Sequence, residues 1–169
     1  MTATEAVARL RAGDITSLDL VEASIARIEE VDSAVNALPI TCFDRARDMA
    51  RCWRLADCVE NPKSLCGLPI AVKDYNNVGA VRTTYGSPIF AQSVAAASDA
   101  TVRQLESNGA IPMAKSNVPE WAGGNTFNPV FGATRNPWDL RMSVGGSSGG
   151  SAAALASGSV WLAAGNDLG

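Results

Sequence analysis

The sequence predicts an α/β fold, and three of its features support that prediction. Residues 1–58 show the apolar spacing of amphipathic helices. Two short apolar runs, at 66–74 and 110–115, flank a segment with helix signals, as in parallel strands joined by a crossover helix. A glycine- and serine-rich loop at 145–151 then leads directly into an alanine-rich stretch, which favours a helix.

Composition argues against several classes of function. The chain has 169 residues, 47% of them hydrophobic, which is enough for the core of one domain or part of one. Its net charge of −3 without basic clusters argues against direct nucleic-acid binding. No apolar run reaches the length of a membrane span, and the N-terminus lacks a signal peptide. We therefore expect a cytoplasmic protein without a membrane partner.

Histidine is absent from the sequence, and its absence narrows the chemistry. Within these residues there is no Ser-His-Asp triad, no Cys-His pair and no histidine-ligated metal, so the base for a serine must be Lys, Asp or Glu. We predict neither a metal nor a cofactor. The cysteines lack C-x-x-C and zinc-ribbon spacing, and we expect reduced thiols. They are Cys42, Cys52, Cys58 and Cys66.

The N-terminal segment is predicted to form helices with only a packing role. Thr16 and Asp19 form a capping-box pattern at the start of one helix. Its apolar positions repeat at helical spacing. They are Leu18, Val21, Ile25, Ile28 and Val31. The opposite face is predicted to be solvated and carries Glu22, Arg27, Glu29 and Glu30. A second helix is predicted over 43–59.

The run at 66–74 is predicted to be a buried strand with Lys73 at its end. A lysine is ordinarily a solvated surface residue. Here it ends a run of buried-type residues, where loss of hydration would favour its neutral form. The local sequence leaves both interpretations of Lys73 open.

A helix and a second strand are predicted to follow. The helix is capped at 98–99 and stops at 108–109. The strand at 110–115 contains Pro112, so this proline is expected near a sheet edge or near the start of the strand. A further apolar strand is predicted at 159–164, and the chain has no internal repeat.

The segment 123–139 is rich in Asn, Pro, Gly and aromatic residues, and it is predicted to be a long irregular loop. Loops of this length are usually functional or disordered. The aromatic residues Phe127, Phe131 and Trp138 favour order. We therefore predict an ordered wall beside a site.

The Gly/Ser loop, residues 145–151, is predicted to present unpaired backbone N–H groups at a helix N-terminus, beside several hydroxyls. Ser148 or Ser151 is placed to cap that helix. Two simpler interpretations are a flexible linker and a site that holds an anion. The linker is disfavoured because the loop lies between an N-P-W-D turn and an apolar helix.

Four sequence blocks occur in a recognisable order. They are G-L-P-I-A-V-K-D at 67–74, K-S-N-V-P-E-W at 115–121, N-P-W-D at 136–139 and G-G-S-S-G-G-S-A-A-A-L-A-S-G at 145–158. In order and spacing they resemble the amidase signature family, from about Thr16 to the last residue. The resemblance implies the N-terminal part of an α/β fold whose mixed central sheet is wrapped by helices. It also implies hydrolysis or transfer of amide groups by a Ser–Ser–Lys triad.

The resemblance also implies roles for individual residues. The family's lysine falls on Lys73, and its bridging serine, which follows a cis peptide, falls on Ser147. The loop around this serine would be supported by Gly145, Gly146, Ser148 and Ser151. Substrate binding is implied for Ala122 and Gly123.

The start of the family's nucleophile block matches 165–169, with Asn166 where threonine is commoner. The nucleophilic serine is therefore expected two residues beyond Gly169. Backbone N–H groups near Leu168 and Gly169 would help to form the oxyanion hole. We expect a truncated amidase domain that is inactive alone, with a helical part and an α/β part. These parts cover 1–60 and 65–169.

Elementary energetics agree with this assignment. Lowering the pKa of a lysine from about 10.4 to near 7 takes about 4–5 kcal/mol. Burial shifts a pKa by up to about 3–5 units, which is sufficient. Neutral Lys73 would then take the hydroxyl proton of Ser147, and Ser147 would take the proton of the nucleophile.

Three functions stay open at this point. The leading one is an amidase that hydrolyses the C–N bond of a small-molecule carboxamide. The second, in the same family, is the amidotransferase component that releases ammonia from glutamine for tRNA-bound amino acids. The third is a non-catalytic module that binds an anion at the Gly/Ser loop. A homo-oligomer is compatible with all three.

Overall fold

The computed structural model describes residues 1–59, 61 and 64–167, and it shows an α/β fold. Within those residues the chain forms six α-helices and eight β-strands. The helices are α1 Ala3–Ala12, α2 Ser17–Val35, α3 Phe43–Cys52, α4 Leu55–Val59, α5 Ala100–Ser107 and α6 Gly149–Ala156. The strands are β1 Ile40–Thr41, β2 Pro69–Lys73, β3 Ile111–Ser116, β4 Phe127–Asn128, β5 Gly132–Ala133, β6 Arg135–Asn136, β7 Asp139–Ser143 and β8 Leu162–Ala163. The predicted fold class is confirmed.

The central sheet has the strand order β1-β3-β2-β8. Strand β2 runs parallel to β3 and β8, whereas β1 runs antiparallel to β3, so the sheet is mixed, as the resemblance implied. In the register of β2 and β3, Lys73 pairs with Ser116 and Val72 pairs with Lys115. Because successive residues of a strand point to opposite faces, Lys73 and Ser116 share one face. Lys115 lies on the other.

Helix α2 begins with the predicted capping box. Thr16 Oγ1 accepts a hydrogen bond from Asp19 N at 3.1 Å, and the Asp19 carboxylate accepts one from Thr16 N at 2.8 Å. These two bonds satisfy backbone N–H groups that the first helical turn cannot pair internally. The sequence therefore locates the start of this helix correctly.

The two predicted faces of α2 are also present. Val21, Ile25 and Ile28 are buried in one cluster with residues of β2, β3 and α6. The glutamates of the opposite face are exposed, but Arg27 is half-buried and donates to Ser157 O at 2.8 Å.

In the described part of the chain, no helix is both long and apolar enough to cross a membrane.

The predicted second helix over 43–59 is wrong in extent, because it breaks into α3 and α4. Trp53 between them has an extended backbone, with φ −69° and ψ 129°. The space beside Gly109 is filled by the Trp53 ring, since a Cβ on that glycine would lie 2.4 Å from it. The Trp53 ring thus packs against Gly109 at the point where the chain leaves the helix. The apolar side chain of Leu55, at the start of α4, is 48% exposed.

Two of the predicted reduced thiols form a disulfide instead, between Cys58 in α4 and Cys66 before β2. The turn before β2, in which Leu68 N donates to Leu65 O at 2.9 Å, brings the two Cα atoms to 4.9 Å. Motif spacing carries no information on this proximity, which explains the error. Cys42 and Cys52 are free thiols, as predicted.

Helix α5 and strand β3 lie where the sequence predicts them. Asp99 occupies the capping position of α5, but its carboxylate accepts from Asn77 N at 2.9 Å instead of from its own helix. The Ser98 hydroxyl accepts from Gly79 N at 2.9 Å. Both bonds hold the turn that follows β2. Pro112 is the second residue of β3, consistent with a position near the start of that strand.

The segment 123–139 is ordered, but it is not the irregular loop that the sequence predicts. It contains a β4–β5 hairpin and the first strand of a β6–β7 hairpin. Polar contacts hold part of it, since buried Asn128 accepts from Val130 N and Phe131 N. Of the three aromatic residues predicted to favour order, Phe131 packs against an apolar core cluster and under Arg82. Phe127 and Trp138 are mostly exposed and do not hold the segment together. Strand β8 is likewise shorter than the predicted 159–164.

Candidate active site

Lys73 is the centre of the candidate site. It is the last residue of β2 and is 0% exposed. Its Nζ lies 2.7 Å from Ser147 Oγ, 2.6 Å from Asn166 Oδ1 and 3.1 Å from Asn166 O. Of the two interpretations that the sequence left open, the structure therefore shows the buried lysine. Residues from β2, the Gly/Ser loop and the chain after β8 converge on one amino group.

Ser147 is positioned by close backbone packing of the Gly/Ser loop. The peptide bond between Gly146 and Ser147 is cis, as the resemblance implied. A Cβ on Gly146 would lie 2.1 Å from Gly124 O, and one on Gly150 would lie 2.4 Å from Asn117 N. Side chains at either position would clash with main-chain atoms that have little room to move. The glycines therefore let the loop and α6 approach the chain that follows β3.

Ser148 and Ser151 bond outside their helix. Ser148 is at the capping position of α6 but makes no cap bond; its hydroxyl donates to Asn166 O at 3.0 Å and accepts from Asn166 N at 3.3 Å. The Ser151 hydroxyl lies 2.6 Å from Ser116 Oγ and donates to Ala164 O at 2.8 Å. The predicted side-chain cap is therefore wrong. Both serines instead connect α6 to the chain after β8.

The electrostatics of the site favour a neutral amine. Burial lowers the pKa of Lys73, and the Asp167 carboxylate opposes that shift by favouring the charged form. All three hydrogen-bond partners of Nζ are uncharged oxygens. An amine with a lowered pKa beside a serine hydroxyl is suited to take that hydroxyl's proton.

A second buried lysine was not predicted, although it begins one of the four sequence blocks. Lys115 is 0% exposed, and its Nζ lies 2.7 Å from Asp74 Oδ1 and 2.8 Å from Thr83 Oγ1. Asp74 also accepts from Thr84 N and Thr84 Oγ1. Burial lowers the pKa of Lys115, with Asp74 opposing. Like Lys73, it lies near the end of an apolar run, and this signal could have found it.

The other predicted site residues lie on adjoining segments. Ala122 ends a short 3₁₀ turn with φ 59°, and Gly123 N donates to Glu120 O at 3.2 Å. The next residue, Gly124, contacts Gly146 of the Gly/Ser loop. The predicted oxyanion-hole residues, Leu168 and Gly169, lie outside the described residues.

Within the described chain, no group of three or more His, Cys, Asp or Glu side chains is placed to hold a metal.

An aromatic cluster beside the site was not predicted. Tyr85 stacks on Trp121 with ring centroids 5.6 Å apart, and Tyr75 and Phe90 meet Tyr85 edge to face. Trp121 N donates to Tyr85 O at 2.9 Å. The loop after β2 is thus held to the 3₁₀ turn that contains Trp121. The residues involved come from separate segments, so no local pattern reveals the cluster.

Comparison with known proteins agrees with the fold. The family profile described as Amidase matches residues 19–169. The chain therefore belongs to the amidase signature family. It spans about a third of the length of the relatives that it matches.

Three of these relatives show the range of the similarity. A glutamyl-tRNA(Gln) amidotransferase subunit of Oleidesulfovibrio alaskensis is 41% identical over 169 residues, which are 99% of this chain and 34% of that protein. "Putative amidase AmiB2" of Mycobacterium tuberculosis is 44% identical over 159 residues, covering 93% of this chain and 34% of that protein. The structure of 6-aminohexanoate cyclic dimer hydrolase with its substrate has a TM-score of 0.89 at 31% identity, covering 99% of this chain and 34% of that one.

Proposed function

We propose that the protein is an amidase that hydrolyses the C–N bond of a small-molecule carboxamide. The observation that supports this proposal most strongly is the distance of 2.7 Å between Lys73 Nζ and Ser147 Oγ at the buried end of β2. A buried amine at this distance from a hydroxyl is suited to general-base chemistry without histidine. The similarity to two hydrolytic relatives supports the same class of reaction.

The proposed proton path begins at neutral Lys73. Lys73 Nζ accepts the proton of Ser147 Oγ, and Ser147 Oγ accepts the proton of a nucleophilic serine expected two residues after Gly169. That serine attacks the carbonyl carbon of the substrate. The C–N bond then breaks, and the leaving ammonia or substrate amine receives the proton back through Ser147. Water then hydrolyses the acyl-enzyme. The backbone N–H groups of Leu168 and Gly169 are proposed to stabilise the oxyanion, and Ala122 and Gly123 to contact the substrate.

A second candidate function is release of ammonia from glutamine for tRNA-dependent amidation. It is favoured by the 41% identity to a glutamyl-tRNA(Gln) amidotransferase subunit over nearly the whole chain. A glutaminase assay, together with co-purification of further subunits, distinguishes this candidate from a stand-alone amidase. Stabilisation by phosphate that does not require Lys73 would instead support the anion-binding module.

The central test uses a longer polypeptide that continues 1–169 through the expected nucleophile. Ammonia release from a panel of aliphatic and aryl carboxamides and glutamine is measured for wild type, Lys73→Ala and Ser147→Ala. Each variant is expected to lose about 10²–10⁴-fold in kcat, the usual contribution of a positioned proton-transfer group. The exposed Ser107, on α5, gives the control Ser107→Ala, which should retain activity.

One outcome would contradict the proposed mechanism, and another would contradict the expectation that 1–169 is inactive alone. Retention of activity in Lys73→Ala would show that Lys73 is not the base. Turnover by 1–169 alone, abolished in Lys73→Ala, would contradict the expected inactivity but would support Lys73 as the base. The cytoplasmic location and a homo-oligomer stay predictions from the sequence.

A further inference from the structure

Asn166 connects the proposed base to the N-terminus of α6. Its side-chain Oδ1 lies 2.6 Å from Lys73 Nζ, and its backbone O lies 3.1 Å from the same atom. Its backbone N and O both bond to Ser148 Oγ. Asn166 itself is exposed, whereas Lys73 is fully buried. A side chain at the surface thus provides one of three contacts to a buried amino group.

Three oxygen contacts fit either protonation state of Lys73, and the two states differ in whether Nζ donates to one of these oxygens or accepts a proton from it. A neutral lysine amine has two N–H bonds and one lone pair, whereas an ammonium has three N–H bonds and no lone pair. Two of the three oxygens around Nζ belong to Asn166, and the third is Ser147 Oγ at 2.7 Å. When both N–H bonds are directed to Asn166, the lone pair is left facing Ser147.

We propose that the Asn166 side chain is a positioning residue for Lys73, holding one N–H bond of the neutral amine so that its lone pair faces the Ser147 hydroxyl. This inference rests on the proposed function, in which Lys73 is the base. Without Oδ1, an N–H bond of the amine is free to turn towards Ser147. The amine would then donate to the serine and would not accept its proton.

The absence of charge on Asn166 is part of the proposal. The Asp167 carboxylate already favours the ammonium form, against the effect of burial. Asp74 follows Lys73 in the chain, but its carboxylate bonds to Lys115 and to Thr84 N and Oγ1. Lys115 lies on the opposite face of the sheet from Lys73. A second carboxylate at position 166 would stabilise the ammonium further. An amide supplies the same acceptor without that charge.

The test is an NMR titration of the lysine side chains in 1–169. The sequence contains only three lysines, Lys63, Lys73 and Lys115, so a ¹³Cε-lysine-labelled sample gives three signals. The variant Lys73→Met assigns the signal of interest. Asn166→Asp has nearly the same shape and adds one negative charge. It is expected to raise the pKa of Lys73 by about 1–3 pH units, the effect of an opposite charge within about 4–6 Å.

Two further variants and a control complete the titration. Asn166→Leu removes the acceptor and is expected to lower the pKa of Lys73, because an amide oxygen stabilises the ammonium more than the amine. Asn166→Thr restores an acceptor oxygen and should reverse part of that change. Asn136→Asp on β6 adds the same charge elsewhere and should leave the Lys73 signal unchanged. An unchanged Lys73 titration in folded Asn166→Asp and Asn166→Leu would overturn the proposal.

Kinetics on the longer active polypeptide separate positioning from a purely structural role. Asn166→Asp should move the rising limb of the kcat–pH profile to higher pH by the amount seen in the titration. A uniform loss of kcat at all pH values, without that movement, would show a structural role and overturn the proposal. The titration reports the Asn166–Lys73 contact whether or not amides are hydrolysed. Failure of this inference is thus distinguishable from failure of the proposed function.

Discussion

Replacing Lys115 by methionine tests how the chain holds the loop that follows β2. Lys115 is 0% exposed and lies 2.7 Å from Asp74, which is 1% exposed. Methionine fills much of the same space, but it leaves the Asp74 carboxylate buried without its cation. Removing one partner of a buried ion pair costs about 3–5 kcal/mol. We therefore expect Lys115→Met to lower the free energy of unfolding of 1–169 by about 3–5 kcal/mol.

Urea denaturation at pH 7, followed by far-UV circular dichroism, measures this change. The matched control is Arg141→Met, which removes an ion pair of the same length to Asp139 but with Arg141 88% exposed. An exposed pair contributes about 0–1 kcal/mol, so the control should change little. The double variant Lys115→Met with Asp74→Asn should lose less than the sum of its two single variants, because neither charge is then left alone.

Two results would refute this reasoning. The first is a loss in Lys115→Met no larger than the loss in Arg141→Met. The second is strict additivity in the double variant, which would show that Lys115 and Asp74 do not depend on each other. Either result would mean that the loop after β2 is held by its other contacts, such as the hydrogen bond from Asn77 N to Asp99.

Two other predictions concern Lys73 and the free thiols. Lys73→Met should stabilise the folded chain at pH 7, because burial lowers the pKa of Lys73 and the folded state disfavours its charge. This gain should shrink as the pH rises towards the ordinary lysine pKa of about 10.4, and equal gains at pH 7 and 10 in urea denaturation would contradict it. Burial raises the pKa of Cys42 to about 11, so its thiolate fraction at pH 8 is about 200-fold below that of an ordinary cysteine. Iodoacetamide should therefore modify the exposed Cys52 before Cys42. Peptide mass spectrometry that finds Cys42 modified first would contradict this prediction.

The sequence predicts those parts of the fold and site that local patterns or known sequence blocks encode. The capping box at Thr16 and the buried strand ending at Lys73 are local patterns, and both are present. The contact between Lys73 and Ser147 joins residues 74 positions apart, and only the resemblance to a family indicated it.

The features that the sequence missed depend on which segments meet in space. The break at Trp53 occurs where its ring packs against Gly109, and the disulfide joins Cys58 in α4 to Cys66 in the turn before β2. The ion pair of Lys115 likewise joins a strand to a distant loop. Neither hydrophobic periodicity nor motif spacing describes such long-range proximity.

The contact of Gly150 with the backbone at Asn117 has a consequence for how the site tolerates change. A Cβ on Gly150 would also lie 2.9 Å from Ala37 O, and Ala37 O itself accepts from Asn117 N at 2.8 Å. The first turn of α6 is thus packed against main-chain atoms, and this contact does not require a particular side chain at position 37 or 117. We therefore expect random substitution of the side chains around this contact to change which amides the proposed site binds. The distance between Lys73 Nζ and Ser147 Oγ should stay the same.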